Sequence, residues 1–252
     1  MIEIYTGQFA GVEALHAVPA GQKAAALPTV VFYHGFSSSK TVYSYFAVAL
    51  AQAGFRAILP DAPRHGARFD GDATARAGQF WQILAQNIAE FAPLSAALHD
   101  AGLVTPGQLY VAGASLGGMT ALGLMSAHPE INAVASLMGS GYYTTLARAL
   151  YPPNRLLSPD DRAAFDAVLA PLARLEAPRN LARLGNRPLF LWHGEEDDVV
   201  PATESVSLQQ ALHTAGLAKN LTCQWEAGVK HRITPAALEG CVAFFRRVAA
   251  IN

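Results

Sequence analysis

Short apolar segments alternate with longer segments of helical periodicity along most of the chain. Eight short segments rich in apolar, β-branched and aromatic residues are predicted as strands: 2–5, 13–18, 29–33, 56–59, 109–112, 133–138, 188–192 and 221–225. Apolar positions at helical spacing predict helices near 43–53, 77–101, 116–128, 203–215 and 235–249. The alternation predicts an α/β fold with a mostly parallel sheet, whose first two strands form an antiparallel edge. Thr234 and Pro235 are typical of an N-cap and a first helical position.

The interval 139–187, between the sixth and seventh predicted strands, is too long for an ordinary connection. Segments 146–150 and 162–169 have helical patterns, and prolines punctuate them at Pro152, Pro153 and Pro159. We predict a small helical cap over the carboxyl ends of the strands, where open α/β sheets bind ligands. The alternative is a surface insertion that only packs on the core. Residues 1–252 are predicted to form a single domain that includes this segment.

The composition is typical of a globular protein. With 52% hydrophobic and 15% charged residues, the 252-residue chain is expected to bury a large core rather than remain disordered. Its 18 basic and 19 acidic residues give a formal net charge of -1, and no stretch concentrates basic residues. We therefore expect neither nucleic acid nor a membrane as a partner.

The cellular location is predicted from three features. The first residues, 1–5, lack the positive charge and apolar core of a secretory signal, and no apolar run approaches the roughly 18 residues of a membrane span. Cys223 and Cys241 fall in a predicted strand and a predicted helix without metal-like spacing, which predicts buried free thiols. We therefore expect a cytoplasmic protein.

The segment Gly113-Ala114-Ser115-Leu116-Gly117 lies between a predicted strand and a predicted helix. A nucleophilic serine on a sharp strand-to-helix turn needs small residues two positions away on either side, because the strained turn packs closely against its neighbours. Gly113 and Gly117 meet that need. Glycines also favour a plain strand-to-helix turn, so the pattern indicates a nucleophile only together with partner residues.

Two later loops supply those partners at the same predicted edge of the sheet. One strand ends in the acidic turn 195–198, and the last strand is followed by a loop that contains His231. A serine hydroxyl needs an imidazole to accept its proton, and a carboxylate must orient that imidazole. We predict Ser115 as nucleophile, His231 as base and Asp197 as acid. The alternative acid is Asp198, since the residues alone do not say which side chain points toward His231.

The oxyanion hole is predicted from backbone position. Gly35 follows the third predicted strand, and a glycine turn there aims the Phe36 N–H at the developing negative oxygen. Leu116, the residue after the nucleophile, supplies the second N–H. The neighbouring His34 is interpreted as a loop-packing residue.

Other candidates carry weaker signals. Asp61 and His65, in the loop after the fourth strand, have the chemistry of a catalytic pair, and we interpret them as braces of that loop. Four aromatic residues are candidates for an acyl pocket, with core packing as the alternative for each: Phe80, Trp81, Tyr142 and Tyr143.

No cofactor or metal is expected. Lys40 and Thr41 look like the end of a phosphate-binding loop, but the glycines of that motif are missing. The chain has no His-Glu-x-x-His segment and no spaced cysteine pair for zinc, and the acidic run 195–198 is too short for a calcium loop. The expected partners are a small ester substrate and water; the oligomeric state is not predicted.

These motifs resemble the α/β-hydrolase family, and more narrowly the small bacterial carboxylesterases related to dienelactone hydrolase and the prolyl-oligopeptidase-like hydrolases. The resemblance covers nearly the whole chain and rests on 34–36, 60–66, 113–117, 193–201 and His231, with further likeness at 42–46 and 231–235. The chain order serine, aspartate, histidine is the one expected of that family. In its His-Gly-x-x-Asp-x-x-Val-Pro pattern the aspartate aligns with Asp197, which favours Asp197 over Asp198.

The resemblance implies a serine carboxylesterase that hydrolyses short-chain esters through an acyl-enzyme. Dienelactone hydrolases use cysteine where this chain has Ser115, which disfavours ring-opening of dienelactone. The propeller domain with which oligopeptidases select peptides is missing, so peptidase activity is only a minor expectation. A different class of function, a non-catalytic receptor for a small ester or lactone on the same scaffold, is the alternative.

Overall fold

The computed structural model describes residues 1–151 and 158–251. Its centre is an eight-stranded sheet in the order β1-β2-β4-β3-β5-β6-β7-β8. The strands are β1 (Ile2–Phe9), β2 (Val12–Pro19), β3 (Leu27–Tyr33), β4 (Arg56–Pro60), β5 (Val104–Ala114), β6 (Ala133–Leu137), β7 (Leu189–Gly194) and β8 (Leu221–Glu226). β2 is antiparallel to both β1 and β4, and the other neighbours are parallel. The predicted α/β sheet and its antiparallel edge are confirmed.

Helices connect the strands. They are α1 (Ser44–Gln52), α2 (Ala73–Gly78), α3 (Phe80–Ala89), α4 (Phe91–Asp100), α5 (Leu116–Ala127), α6 (Tyr143–Leu146), α7 (Pro159–Leu175), α8 (Leu181–Gly185), α9 (Thr203–Thr214) and α10 (Pro235–Ile251). The predicted cap of α10 is confirmed, because the Ala237 N–H donates to Thr234 Oγ1 at 3.1 Å. Among the described residues, no helix combines the length and apolar character needed to cross a membrane.

The prediction of one long helix near 77–101 is wrong. Two helices, α3 and α4, lie there with Glu90 between them, and the short α2 precedes them. Pro93 has no N–H to donate to the Ala89 carbonyl, so a continuous helix would lose a hydrogen bond at this point. A proline is tolerated in the first turn of a new helix, where Pro93 now lies.

The core has two parts, one on each face of the sheet. Alternate residues of β3 point to opposite faces, so Val31 packs in one apolar cluster and Val30 and Phe32 pack in the other. Helices α1 and α10 cover the second cluster, and α3, α4 and α5 cover the first. Because both faces are covered, the parallel strands are almost continuously apolar. Helices cover the faces and leave the carboxyl ends of the strands accessible, where open α/β sheets bind ligands.

The segment between β6 and β7 contains α6, α7, a short 3₁₀ turn and α8. The predicted helix 162–169 lies within α7, but the predicted helix 146–150 is wrong, because α6 ends at Leu146 and turns follow. Glu176 explains the earlier start: its Oε1 accepts hydrogen bonds from the Thr144 N–H and hydroxyl at 2.8 and 2.6 Å. Pro152 and Pro153 lie outside the described residues. The cap over the strand ends stays a prediction.

Candidate active site

Ser115 occupies a strained turn between β5 and α5. Its backbone has φ 55° and ψ -114°, a conformation that costs about 1–3 kcal/mol for a residue with a side chain. The surrounding contacts hold it: its N–H donates to the Leu137 carbonyl at 2.9 Å. Such a turn exposes the side chain at the end of the strand, directly before a helix N-terminus.

The flanking glycines are required by close backbone contacts. A Cβ on Gly113 would lie 2.3 Å from the Gly117 carbonyl carbon, and a Cβ on Gly117 would lie 1.9 Å from the Tyr33 carbonyl oxygen. No side chain fits at those distances, since the obstructing atoms are backbone atoms. The two glycines therefore let β3, β5 and α5 meet around Ser115.

Three predicted residues form one chain of hydrogen bonds. The Ser115 hydroxyl lies 2.9 Å from Nε2 of His231, and Nδ1 of His231 lies 2.7 Å from Oδ2 of Asp197. The carboxylate can only accept, so Nδ1 carries the proton and Nε2 is free to accept from the serine. Ser115 is only 8% exposed, and it lines a small cavity.

The acid and histidine loops meet through their backbones. The Glu196 N–H donates to the Val229 carbonyl at 3.0 Å. A Cβ on Gly194 would lie 2.3 Å from that same carbonyl oxygen. Gly194 thus permits the close approach of the two loops that brings Asp197 to His231.

Asp197 has a full set of hydrogen-bond donors. Its Oδ1 accepts from the Val199 and Val200 N–H groups at 2.9 Å each, and its Oδ2 lies between His231 and His193. Burial raises the pKa of Asp197, but the hydrogen bonds from His193, His231 and the Val199 N–H outweigh it and hold the pKa well below its usual value. The group is therefore a carboxylate at neutral pH.

His193 contacts the acid, a contact that the sequence patterns did not predict. It is fully buried at the end of β7, with Nε2 2.8 Å from the Val200 carbonyl and 3.2 Å from Asp197 Oδ2. Because both neighbours only accept, Nε2 carries a proton. Nδ1 lies 2.8 Å from the Ser205 hydroxyl, which fixes the ring. The sequence does contain a signal for this contact, because His193 lies at the end of an apolar strand, four residues before Asp197.

Both predicted oxyanion donors lie beside Ser115. Leu116 is the first residue of α5, where N–H groups have no partner within the helix. Phe36 follows Gly35, at which a Cβ would lie 3.7 Å from the Ser115 Cβ. Within residues 1–151 and 158–251, neither the Phe36 nor the Leu116 N–H donates to another group.

Comparison with known proteins assigns the family. The model of the prolyl oligopeptidase family, Peptidase_S9, matches residues 42–250. The chain belongs to the prolyl oligopeptidase family. The chain is similar to "Esterase YjfP" of Escherichia coli (strain K12), with 56% identity over 98% of this chain and 99% of that one. It is also similar to "Putative esterase YitV" of Bacillus subtilis (strain 168), with 32% identity over 97% of this chain and 98% of the relative.

Structural comparison shows a fold that this chain shares with a solved structure. The crystal structure of TT1662 from Thermus thermophilus has a TM-score of 0.78 and 23% identity, and the match covers 98% of each chain. At that identity the likeness shows the fold alone. This member of the prolyl oligopeptidase family has the α/β-hydrolase fold, and it is a hydrolase.

In this family member, two histidines brace the loops around Phe36. His34 accepts from the Ala62 N–H through Nε2 at 3.0 Å and donates to the Gly35 carbonyl through Nδ1 at 2.7 Å. His65 accepts from the Ser37 N–H at 3.0 Å, next to Phe36. Burial lowers the pKa of His34 to about 4, which keeps the ring neutral and able to accept. Both rings are bound to backbone groups of the loops.

Asp61 holds the same loop through charge. It is buried, and it accepts from the Lys40 N–H at 2.7 Å, from the Lys40 ammonium and from the Ala67 N–H at 2.9 Å. Burial alone would raise the pKa of Asp61. The hydrogen bonds from Lys40 lower it by more, so the pKa lies below its usual value. The pair Asp61–Lys40 therefore fixes the far end of the loop that carries Phe36.

Three of the four aromatic candidates lie in the core, and the fourth, Tyr142, is half-buried and packs against it. Phe80, Trp81 and Tyr143 are buried, and the Tyr143 hydroxyl donates to the Met119 carbonyl at 2.8 Å. These three are core residues. Tyr151, which was not among the candidates, lies with its ring centroid 4.9 Å from that of Phe36 and brings the segment after β6 next to the loop that carries Phe36.

A cavity of ≈ 320 Å³ opens at Ser115. Its lining combines the nucleophile and the base with apolar and aromatic residues, chiefly Phe36, Val42, Tyr43, Tyr45, Met138 and Ile233. The lining is therefore mixed, with polar groups that can orient a ligand and apolar surface that can contact it.

Proposed function

We propose that this protein is a serine carboxylesterase that hydrolyses short-chain carboxylic esters through an acyl-enzyme intermediate. The observation that carries the proposal is the chain of hydrogen bonds from Ser115 through His231 to Asp197, at 2.9 and 2.7 Å. The names of the two similar esterases support the ester as substrate. Neither a metal nor a cofactor takes part in this chemistry.

In the first half of the proposed reaction, Ser115 Oγ attacks the ester carbonyl carbon while its proton moves to His231 Nε2. Asp197 stabilises the imidazolium that results, because its carboxylate stays ionised. Nε2 then gives that proton to the leaving oxygen as the C–O bond breaks, and Ser115 is left acylated. In the second half, water gives a proton to His231, attacks the acyl carbon and releases the carboxylic acid, and Ser115 recovers its proton.

The N–H groups of Phe36 and Leu116 are the proposed oxyanion donors. In each half of the reaction the carbonyl oxygen becomes negative, and two fixed donors stabilise it more than the uncharged ester. The braces on the Phe36 loop support this role, because a preorganised donor does not have to reorient as charge develops.

The size of the cavity supports a preference for short acyl chains. A space of ≈ 320 Å³ must hold both the acyl and the alcohol part of the ester. A panel of p-nitrophenyl acetate, butyrate and octanoate tests this preference through kcat/KM. We expect acetate and butyrate to be the best substrates. A preference for octanoate contradicts the proposal of a short-chain site.

The nucleophile is tested with the same panel. Ser115→Ala is expected to lower kcat by about 10⁴-fold or more, since the residues of such a triad act as one unit. The control is Ser207→Ala, which removes an exposed serine on α9 and should leave kcat unchanged. Wild-type hydrolysis by the Ser115→Ala variant refutes the mechanism. Tight binding of esters without turnover by the wild type favours a receptor instead.

We also propose a cytoplasmic location. Cys223 and Cys241 are both free thiols, and a reducing compartment keeps thiols in that state. Fractionation of cells that produce the protein tests this location, and recovery in the extracellular medium contradicts it.

A further inference from the structure

The alcohol part of the ester has a definite place in the cavity, and this step rests on the proposed function. His231 Nε2 must give its proton to the leaving oxygen, so that oxygen lies within hydrogen-bond reach of His231. The next two residues, Arg232 and Ile233, line the same cavity. An alcohol part that leaves from His231 can contact this part of the lining.

Arg232, an exposed residue that lines the cavity, brings a positive charge to it. In the described part of the chain, its side chain has neither a hydrogen bond nor an ion pair. The nearby Lys230 differs, because its ammonium lies 3.3 Å from the Asp198 carboxylate. A guanidinium is always charged, and its planar fork matches the two oxygens of a carboxylate or phosphate.

The described lining adds no acidic side chain of its own, and the Asp197 carboxylate lies 2.7 Å from Nδ1 of His231. The Tyr43 phenol adds a hydroxyl to the lining, and burial, opposed in part by the Gly35 backbone, raises the pKa of Tyr43 to about 12. A Cβ on Gly35 would lie 3.1 Å from that phenol oxygen and 3.7 Å from the Ser115 Cβ, so the phenol lies close to the nucleophile.

Apolar side chains form the outer rim. Val42 and Tyr45 are 61% and 38% exposed although both are large hydrophobic residues, and both line the cavity with Ile233. Exposed apolar groups that surround a pocket are typical of a binding site. This lining combines an apolar rim with one cation, Arg232, whose side chain has no ion pair in the described part of the chain.

We propose that the natural ester carries an oxyanion, a carboxylate or a phosphate, on its alcohol part, and that Arg232 pairs with it. The ester is attached through an apolar spacer that contacts Val42, Tyr45 and Ile233. This names a substrate class, anionic esters of short acids, for the catalytic site.

The test compares esters that share an acetyl group and a phenyl spacer. Para-acetoxybenzoate carries a carboxylate, para-acetoxyphenyl phosphate carries a phosphate, and methyl para-acetoxybenzoate is neutral. The readout is the kcat/KM of each anionic ester divided by that of the neutral ester. Wild type is compared with Arg232→Gln and Arg232→Lys. Lys230→Gln is the matched control, because it removes a cation two residues away that Asp198 already pairs.

We expect Arg232→Gln to lower the ratio about tenfold for the preferred anion, as for the loss of one charge-assisted hydrogen bond. Arg232→Lys should retain part of the preference, and Lys230→Gln should change the ratio less than about twofold. High salt should lower the wild-type ratio, which tests the pairing without any substitution. The larger of the two anionic ratios identifies the carboxylate or the phosphate as the group that is bound.

The contrary results are distinct. If wild type hydrolyses the neutral ester and Arg232→Gln leaves both ratios unchanged, the anion inference is wrong and the esterase proposal stands. The anion inference is equally wrong if Lys230→Gln lowers the ratios as much as Arg232→Gln. The effect then comes from the overall positive charge near the site and not from a specific pair with Arg232. If wild type hydrolyses none of the three esters, both proposals are wrong.

Discussion

Asp197 and Asp198 are neighbours in the chain with opposite surroundings. Asp197 is buried among four donors, including His231, whereas Asp198 is exposed and pairs with Lys230. The loop sequence alone is compatible with either residue as the acid, because it does not give the direction of a side chain. The turn that directs Asp197 inward depends on hydrogen bonds from the N–H groups that follow it.

Substitution of the two acids separates their roles. Asp197→Asn is expected to lower kcat by about 10⁴-fold, because an amide no longer fixes the tautomer of His231 or stabilises the imidazolium. Asp198→Asn removes only a surface ion pair and should change kcat less than about twofold. Steady-state hydrolysis of p-nitrophenyl acetate measures both. The reverse ranking contradicts the assignment of Asp197 as the acid.

His193 is expected to act through the acid as a positioning residue. His193→Phe removes the Nε2–H that contacts Asp197, and the loss of a hydrogen bond to a charged group corresponds to about a 10- to 100-fold lower kcat. KM should stay within about threefold, because His193 is buried away from the cavity lining. His193→Gln keeps a donor and should restore part of kcat. A change in KM alone, with kcat intact, speaks against this role.

At the scale of elements, the periodicity of apolar residues predicted the strands and helix ends that depend on neighbouring residues in the chain. All eight strands and the cap of α10 are present, because apolar alternation and a Thr-Pro pair are local signals. The start of α6 depends on Glu176, which lies 32 residues from Thr144, and no local pattern contains that contact. His193 was missed for the same reason, since its partner Ser205 comes from another element.

The strained turn at Ser115, which we call the elbow, is tested at this scale. Gly117→Ala places a Cβ 1.9 Å from the Tyr33 carbonyl oxygen, so β3 and α5 must separate. We expect the free energy of unfolding to fall by more than about 3 kcal/mol, as for severe overpacking. Gly78→Ala is the control, because nothing lies within 4 Å of its Cβ position. Equal stability of the two variants by urea denaturation is incompatible with the packing described for the elbow.

At the scale of the whole molecule, buried neutral histidines link stability to pH. Burial, together with the charge of Arg56, lowers the pKa of His16 to about 4, while its pKa in the unfolded chain is near the ordinary 6.5. A folded pKa below the unfolded one gives stability that is present above pH 6.5 and is lost as the pH falls toward 4. His34 contributes in the same direction.

The free energy of unfolding should therefore fall between pH 7 and pH 5, with His16 contributing about 1–2 kcal/mol of the loss. Urea denaturation at the two pH values measures it. His16→Gln should reduce the pH dependence by that amount, while His213→Gln, on the exposed side of α9, should not. A pH dependence that is the same in wild type and His16→Gln contradicts the linkage.

Covalent labelling of Ser115 is the decisive measurement for the proposed nucleophile. A fluorophosphonate reacts with a serine only when a base activates it, so we predict one adduct in the wild type, located by peptide mass spectrometry on Ser115. Labelling should abolish ester hydrolysis in proportion to its extent and should be absent from His231→Ala. An adduct on a different residue, or full hydrolytic activity after Ser115 is labelled, contradicts the role of Ser115 as the activated nucleophile.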